Sequence, residues 1–290
     1  MFISDMFKQK SLVYSLEVFP PKKDYSFDQI SSVLADICSL KPDYISVTYG
    51  AGGSIADNKT LELCDIVKNG NGVEALAHLT CVSTKKEDID TLLNQLEAKN
   101  IDNILALRGD INPNLPISKD FKYASDLAAY IKNRGGFGIS GACYPEGHFE
   151  APSLVKDIKN LKKKVEAGVS HLNSQMFFDN EDFYNMLELF ELADINVPVQ
   201  AGIMPVTRKN QITRIIELSG SKLPKKFTRL IARYENDPVS LMKAGIAYAV
   251  EQIIDLIAGG VKGIHLYTMN NPHVAAEITK NIKPFLNNEN

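Results

Sequence analysis

Glu17 stands between Leu16 and Val18 and just ahead of the rigid pair Pro20 and Pro21, an apolar setting of the kind that suits a general acid. Its plainer role is an ion pair with a lysine or arginine inside the fold. Arg108, Gly109 and Asp110 place opposite charges on either side of a glycine, so a planar ligand can approach the backbone while the charges reach different parts of it. An internal Arg108–Asp110 pair is the alternative. His171, Asn173 and Gln175 share one strand parity; a satisfied polar core would explain them singly, but three on one face favour a wet or ligand-filled layer. His78 is either a core histidine or a ligand contact. After Pro152 and Ser153, an apolar stripe of Leu154, Ile158, Leu161 and Val165 is matched by a polar one of Asp157, Asn160 and Lys164. That helix directly follows Tyr144 to His148, so Lys163 and Lys164 lie within reach of a diphosphate, although most such faces are merely solvated. The loop Gly50, Ala51, Gly52, Gly53 and Ser54 could cradle a phosphate, yet Ile55 breaks the dinucleotide fingerprint. No metal-ligand spacing and no serine-nucleophile elbow occurs, so no metal is expected.

These residues have a common location if the elements are read from the pattern. Apolar runs begin near Val13, Tyr44, Glu74, Asn103, Gly138, His171, Val199 and Gly263, and each stops at a polar or glycine-bearing tip. The starts are roughly thirty residues apart, the length of one strand, one helix and two loops, and the last gap is about twice as long. Helices fill the intervals, with apolar spacing such as Ile30, Leu34 and Ile37, and with terminators at Asn69–Gly70, Gly135–Gly136, Gly168 and Gly259–Gly260. The long interval has space for helices at Pro224–Arg233 and Pro238–Ala258. Such repetition predicts an α/β fold, a (β/α)8 TIM barrel of one catalytic domain over residues 1–290 with extra helices before the last strand; an open doubly wound sheet is the alternative. In a barrel every tip gathers at one rim, and Glu17, in step with Val13 and Ser15, faces its mouth.

Composition sets the partners. With 44% hydrophobic residues and no tryptophan, 290 residues can bury a large aliphatic core. A net charge of −3 gives no reason to expect nucleic acid or a membrane surface. Cys38, Cys64, Cys81 and Cys143 lack metal or disulfide spacing and read as reduced buried thiols of a cytoplasmic protein. The start carries Asp5 where a signal peptide would be apolar, and Glu251 and Asp255 interrupt the longest apolar segment.

Several segments in order over nearly the whole chain resemble the methylenetetrahydrofolate reductases, in the short form without a regulatory domain. They run from Ser15 to Pro21, Ser46 to Ala51, Ala77 to Cys81, Leu105 to Asp110, Tyr123 to Asp126, Tyr144 to His148, Asn160 to Lys164, Gln175 to Asp179, Gly202 to Pro205 and Tyr267 to Asn270. The resemblance implies a barrel that holds FAD without a Rossmann fold, serving one-carbon metabolism and methionine biosynthesis, in a homo-oligomer. It places Tyr49, Ala51, His78, Arg108, Gly109, Asp110, Tyr123, Ala124, Tyr144, His148, Ala151, Asp157, Asn160, Lys163 and Lys164 at the FAD. Gln175, Thr48 and Asp110 fall on the side of the folate and the nicotinamide donor, and Glu17 and Asp110 are its catalytic residues.

The implied reaction is ping-pong: NADH or NADPH reduces FAD and leaves, and methylenetetrahydrofolate then takes the hydride. Glu17 protonates N10 of the folate to open the five-membered ring, and Asp110 disfavours negative charge near the flavin's pyrimidine edge and lowers its potential. Two positions depart from the family. Met269, Asn270 and Asn271 stand where it commonly has Leu-Asn-Arg, the arginine holding the folate tail, and Arg208, Lys209 and Asn210 replace a loop with a stacking aromatic. Arg208 and Lys209 are the alternatives for the tail. A folate-binding subunit of a methyltransferase or corrinoid complex, and a flavoprotein fed by a redox partner protein, are the competing expectations.

Overall fold

In the computed structural model, which describes residues 1–21, 27–49, 59–113, 115–212, 215 and 222–286, eight parallel strands close into a barrel in sequence order. They are β1 (Val13–Val18), β2 (Tyr44–Val47), β3 (Glu74–Thr80), β4 (Asn103–Leu107), β5 (Gly138–Cys143), β6 (His171–Ser174), β7 (Val199–Ile203) and β8 (Gly263–Tyr267), and they start where the apolar runs do. β8 returns to β1 with Val13 opposite Gly263 and Glu17 opposite Tyr267, which rules out the open sheet.

Strand parity sorts the side chains into two cores. Tyr14, Leu16 and Val18 of β1 join Ile30, Leu34 and Ile37 of α2 (Phe27–Cys38) in the shell between strands and helices, while Val13, Ser15 and Glu17 face the lumen. The other helices pack on the same logic. α3 (Lys59–Asp65) runs into a widened turn at Ile66–Gly70, and α4 (Lys86–Ala98) buries Ile89, Leu92, Leu93 and Leu96 at helical spacing. α5 (Ala124–Arg134), α6 (Leu154–Glu166) and α7 (Asn180–Leu192) follow β4, β5 and β6. The long interval before β8 holds α8 (Lys225–Tyr234) and α9 (Pro238–Ala258), as the sequence indicates, and α10 (Pro272–Leu286) closes the shell. Asp237 starts α9 by accepting from the backbone N–H groups of Val239 and Ser240 at 3.2 and 3.1 Å, with Pro238 in the first turn, where its missing donor costs nothing.

One element escapes the strand-and-helix rhythm. α1 (Ile3–Gln9) lies under the barrel and drives Ile3 and Met6 against Val13, Tyr44, Leu76 and Leu105, closing the floor with a dry cluster. Each such side chain contributes about 1.5–3 kcal/mol when fully buried. Asn103 fastens it, accepting from the Ile3 N–H at 2.9 Å and donating to the Met1 carbonyl at 3.0 Å. This floor corrects one expectation. His171 and Asn173 do not belong to a wet upper layer but to the closed interior: the His171 ring lies 5.4 Å from Phe7 of α1, and its Nε2 lies 2.9 Å from Ser140 Oγ. They start β6, and a parallel strand begins at the end opposite the rim.

Candidate active site

Two sets of polar side chains stand at the C-terminal end of the barrel. The inner set surrounds Glu17. Its Oε2 lies 3.2 Å from His265 Nε2 and 3.5 Å from His78 Nε2, and among the described residues no lysine or arginine pairs with it. Two imidazoles thus stand where an apolar wall is expected from the flanking sequence, because Leu16 and Val18 point into the shell and the lumen neighbours come from β3 and β8. Ser46 Oγ lies 2.6 Å from His78 Nε2, and burial pushes the His78 pKa down to about 4, so this ring stays neutral. Tyr267 donates to the Ser174 carbonyl at 2.8 Å, and burial holds its phenol well above the ordinary value. Gly202 leaves the space for it: a Cβ there would fall 2.3 Å from the Ser174 carbonyl and 3.0 Å from the Tyr267 ring. The backbone of Glu17 is tied to β8 by Thr268, whose hydroxyl donates to the Glu17 carbonyl at 2.6 Å.

The outer set lines a cavity of about 690 Å³ between α5 and α6. Arg108 continues the parity of Ile104 and Ala106, both packed in the shell, so its guanidinium leaves the lumen and enters this groove. It does not pair with Asp110. Instead it forks onto Glu150, with Nη2 2.9 Å from Oε1, and the bond holds Glu150 below the usual carboxylate range. Gly109 turns the chain at φ 84°, and a Cβ there would lie 2.9 Å from Thr80 Cβ, so only glycine lets the turn lie against β3. Opposite, Ser153 caps α6 by accepting from the Lys156 N–H. Asp157 accepts from the His148 N–H at 3.0 Å, and His148 Nδ1 accepts from the Glu150 N–H at 3.1 Å, which places the His148 proton on Nε2. The His148 ring meets Tyr144 edge-on at 4.6 Å and stacks on the exposed Phe149 at 4.8 Å. Lys164 donates to the Ala142 carbonyl at 2.8 Å, and burial pulls its ammonium below the ordinary lysine value.

The structure therefore brings Arg108, Tyr123, Ala124, Tyr144, His148, Ala151, Asp157, Asn160, Lys163 and Lys164 to one groove and puts Glu17 and His78 together in the lumen. Other residues marked by the sequence are not among those that line the groove. Asp110 is exposed in the loop after β4. Tyr49 packs against the shell, where burial and then Asp88 raise its pKa. The Thr48 carbonyl accepts from Thr60, and Gln175 folds its Oε1 back onto the Met176 N–H. Ala51 and the glycine loop around it lie outside the described residues. At the two departures from the family pattern, Asn271 caps α10 by accepting from the Val274 N–H, Lys209 pairs with Glu235 at 3.1 Å, and Arg208 is exposed.

Sequence reasoning missed His265, Ser46 and Glu150. His265 was within reach, since Gly263, His265 and Tyr267 share one parity; Glu150 carried no signal, because its partner comes from another strand tip. None of the described helices is long and apolar enough to cross a membrane.

A protonatable side chain half-buried in the mouth of a (β/α)8 barrel, with a polar groove at the same end whose wall carries cations, is the arrangement of a barrel enzyme. The family model for methylenetetrahydrofolate reductase matches residues 2–283. The chain is 33% identical over 272 residues to 5,10-methylenetetrahydrofolate reductase of Pectobacterium carotovorum, covering 93% of this chain and 90% of that one. It is 32% identical over 280 residues to the Escherichia coli K12 protein of the same name, with 96% and 94% covered. Among solved structures, a Clostridium thermocellum protein that binds two copies of 5-methyl-5,6,7,8-tetrahydrofolic acid shares the fold, with a TM-score of 0.65, 13% identity and coverage of 98% and 99%. The chain belongs to the methylenetetrahydrofolate reductase family and is an oxidoreductase.

Proposed function

We propose that this enzyme reduces 5,10-methylenetetrahydrofolate to 5-methyltetrahydrofolate, holding FAD in the groove between α5 and α6 and using Glu17 as general acid. The observation that carries the reading is the position of Glu17: a carboxyl in the barrel mouth, paired with no lysine or arginine among the described residues, whose neighbours are histidines and a neutral phenol. The groove fits the cofactor. It has a volume of about 690 Å³ and runs past Lys156 to Lys164 of α6, Lys156 and Lys163 line it with no acid against either ammonium among the described residues, and Tyr123 offers an exposed ring. Lys163, Lys164 and Arg108 would hold the diphosphate, and Asn160 and Asp157 would take the sugar hydroxyls.

When bound, FAD supplies a two-electron carrier that accepts hydride from NADH or NADPH and gives it to the folate. The chain's own residues do the rest. Glu17 delivers a proton to N10 of the substrate, the N10–methylene bond breaks, and the methylene carbon becomes an N5 iminium ion ready for hydride. Without that proton N10 is a poor leaving group, and general-acid help is worth about 100-fold or more. Arg208 is left for the folate's glutamate tail, since Lys209 is engaged with Glu235.

Two measurements test the proposal. The purified protein is expected to be yellow, and stopped-flow mixing should show its flavin bleached by NADH or NADPH and recoloured by methylenetetrahydrofolate. A colourless protein that binds methyltetrahydrofolate would point to a folate-binding subunit instead, and a yellow protein inert to both nicotinamides to a partner-fed one.

A further inference from the structure

The polar groups inside the barrel have donors that can be assigned one after another. Gln200 is fully buried, and its Nε2 lies 3.3 Å from the carbonyls of both Val13 and Ile264, which can only accept. The amide nitrogen is thereby fixed at that end, and Oε1 must accept from the Tyr44 hydroxyl. Tyr44 has a single proton, so the 3.2 Å contact between its oxygen and Asn173 Oδ1 would oppose two acceptors. Asn173 Nδ2 meanwhile is buried without a partner among the described residues. Turning the Asn173 amide over removes the opposed acceptors, with its nitrogen donating to the Tyr44 oxygen and its oxygen, the cheaper atom to leave unpaired, taking the other position.

The other end follows in the same direction. Gln200 Nε2 donates to Ser15 Oγ at 3.0 Å, leaving the Ser15 proton a choice among His265 Nδ1 at 2.7 Å, the Ile264 carbonyl at 3.5 Å and the Tyr44 oxygen, which already has a donor in the turned Asn173 amide. The shorter contact takes it. With Nδ1 accepting, the ring proton of His265 sits on Nε2, which faces Glu17 Oε2 at 3.2 Å.

We propose that this one-way chain, from Asn173 through Tyr44, Gln200, Ser15 and His265 to Glu17, makes His265 the positioning residue of the acid. Its Nε2–H occupies Oε2, so the transferable proton rests on Oε1. The inference rests on the reading of Glu17 as general acid given above. The links come from β6, β2, β7, β1 and β8, which a closed barrel alone brings within hydrogen-bond distance of one another. His78, facing the same Oε2 from β3, stays neutral and adds no competing charge.

Nitrogen NMR of the full-length, histidine-labelled protein, with His265 assigned by its loss in His265→Gln, is expected to show Nδ1 unprotonated and Nε2 protonated; the opposite tautomer overturns the proposal. In kinetics, Ser15→Ala and His265→Leu are expected to slow the folate half-reaction about 10-fold or more and to alter its pH profile, with KM for the folate little changed. His265→Gln, whose amide can donate from the Nε2 position, should restore most of the rate. If Glu17→Gln abolishes the folate half-reaction while Ser15→Ala and His265→Leu keep the wild-type rate and pH profile, the chain fails and the general acid stands. If Glu17→Gln leaves that half-reaction intact, the general-acid reading itself fails.

Discussion

The lumen and the outer groove lie at the same end of the barrel yet are built on opposite principles. Around Glu17 the side chains are buried, and hydrogen bonds to neighbours on other strands hold the two histidines in place. In the groove, charges meet solvent and are satisfied by partners that can let go, as the exposed Glu150 does for Arg108. Buried donors and acceptors are costly to leave unmade, so the lumen keeps one arrangement; exposed ion pairs are worth little, so a ligand can replace them. One region suits proton delivery to a defined atom, the other the capture of an anionic cofactor.

The largest effect should come from breaking the lumen's chemistry. Glu17→Gln keeps the shape and removes the proton, and the folate half-reaction should fall about 100-fold or more in stopped-flow, with the loss confined to that half-reaction. Equal losses in both half-reactions would erase the division between the two regions.

The next tests the lumen's burial. Burial pushes His78 to about 4 and His171 to about 3, below the 6.5 of a free histidine. The unfolded chain therefore binds protons that the folded one refuses. Stability from these rings is complete above about 6.5 and is lost as pH falls through the folded values. Urea midpoints should drop between about pH 7 and about pH 4.5, and His171→Gln should make the drop shallower; a slope unchanged by that replacement would remove His171 from the acid limb.

In the groove the effects are smaller and salt-sensitive. Lys163→Ala should weaken FAD binding about 10-fold in a fluorescence titration while leaving the melting temperature nearly unchanged, because the side chain is exposed. Glu150→Gln has the opposite sign: it frees Arg108 and should tighten FAD binding by about 2- to 3-fold at low salt, an advantage that fades as salt rises. Weaker binding in that variant would mean that Glu150 positions Arg108 for the cofactor and does not compete with it.

The barrel was legible because its signals are local. Eight apolar runs, their spacing and their terminators specify strands and helices whatever the rest of the chain does, and period-two parity already turned Glu17 toward the lumen. α1 was harder, since Ile3, Met6 and Phe7 show helical spacing over only two turns and nothing nearby says that they fill a barrel floor.

What the sequence determined by itself is which groups are present and which way each strand side chain points. What only the tertiary structure decided is which groups meet. Glu150 finds Arg108 across 42 residues once β4 and β5 pair, and His265 reaches Glu17 across 248, through a contact that exists only after the strands close into a ring. Parity is a property of one strand and survives in isolation, whereas a hydrogen-bond partner on another strand is fixed by register and closure, which no stretch of chain carries alone.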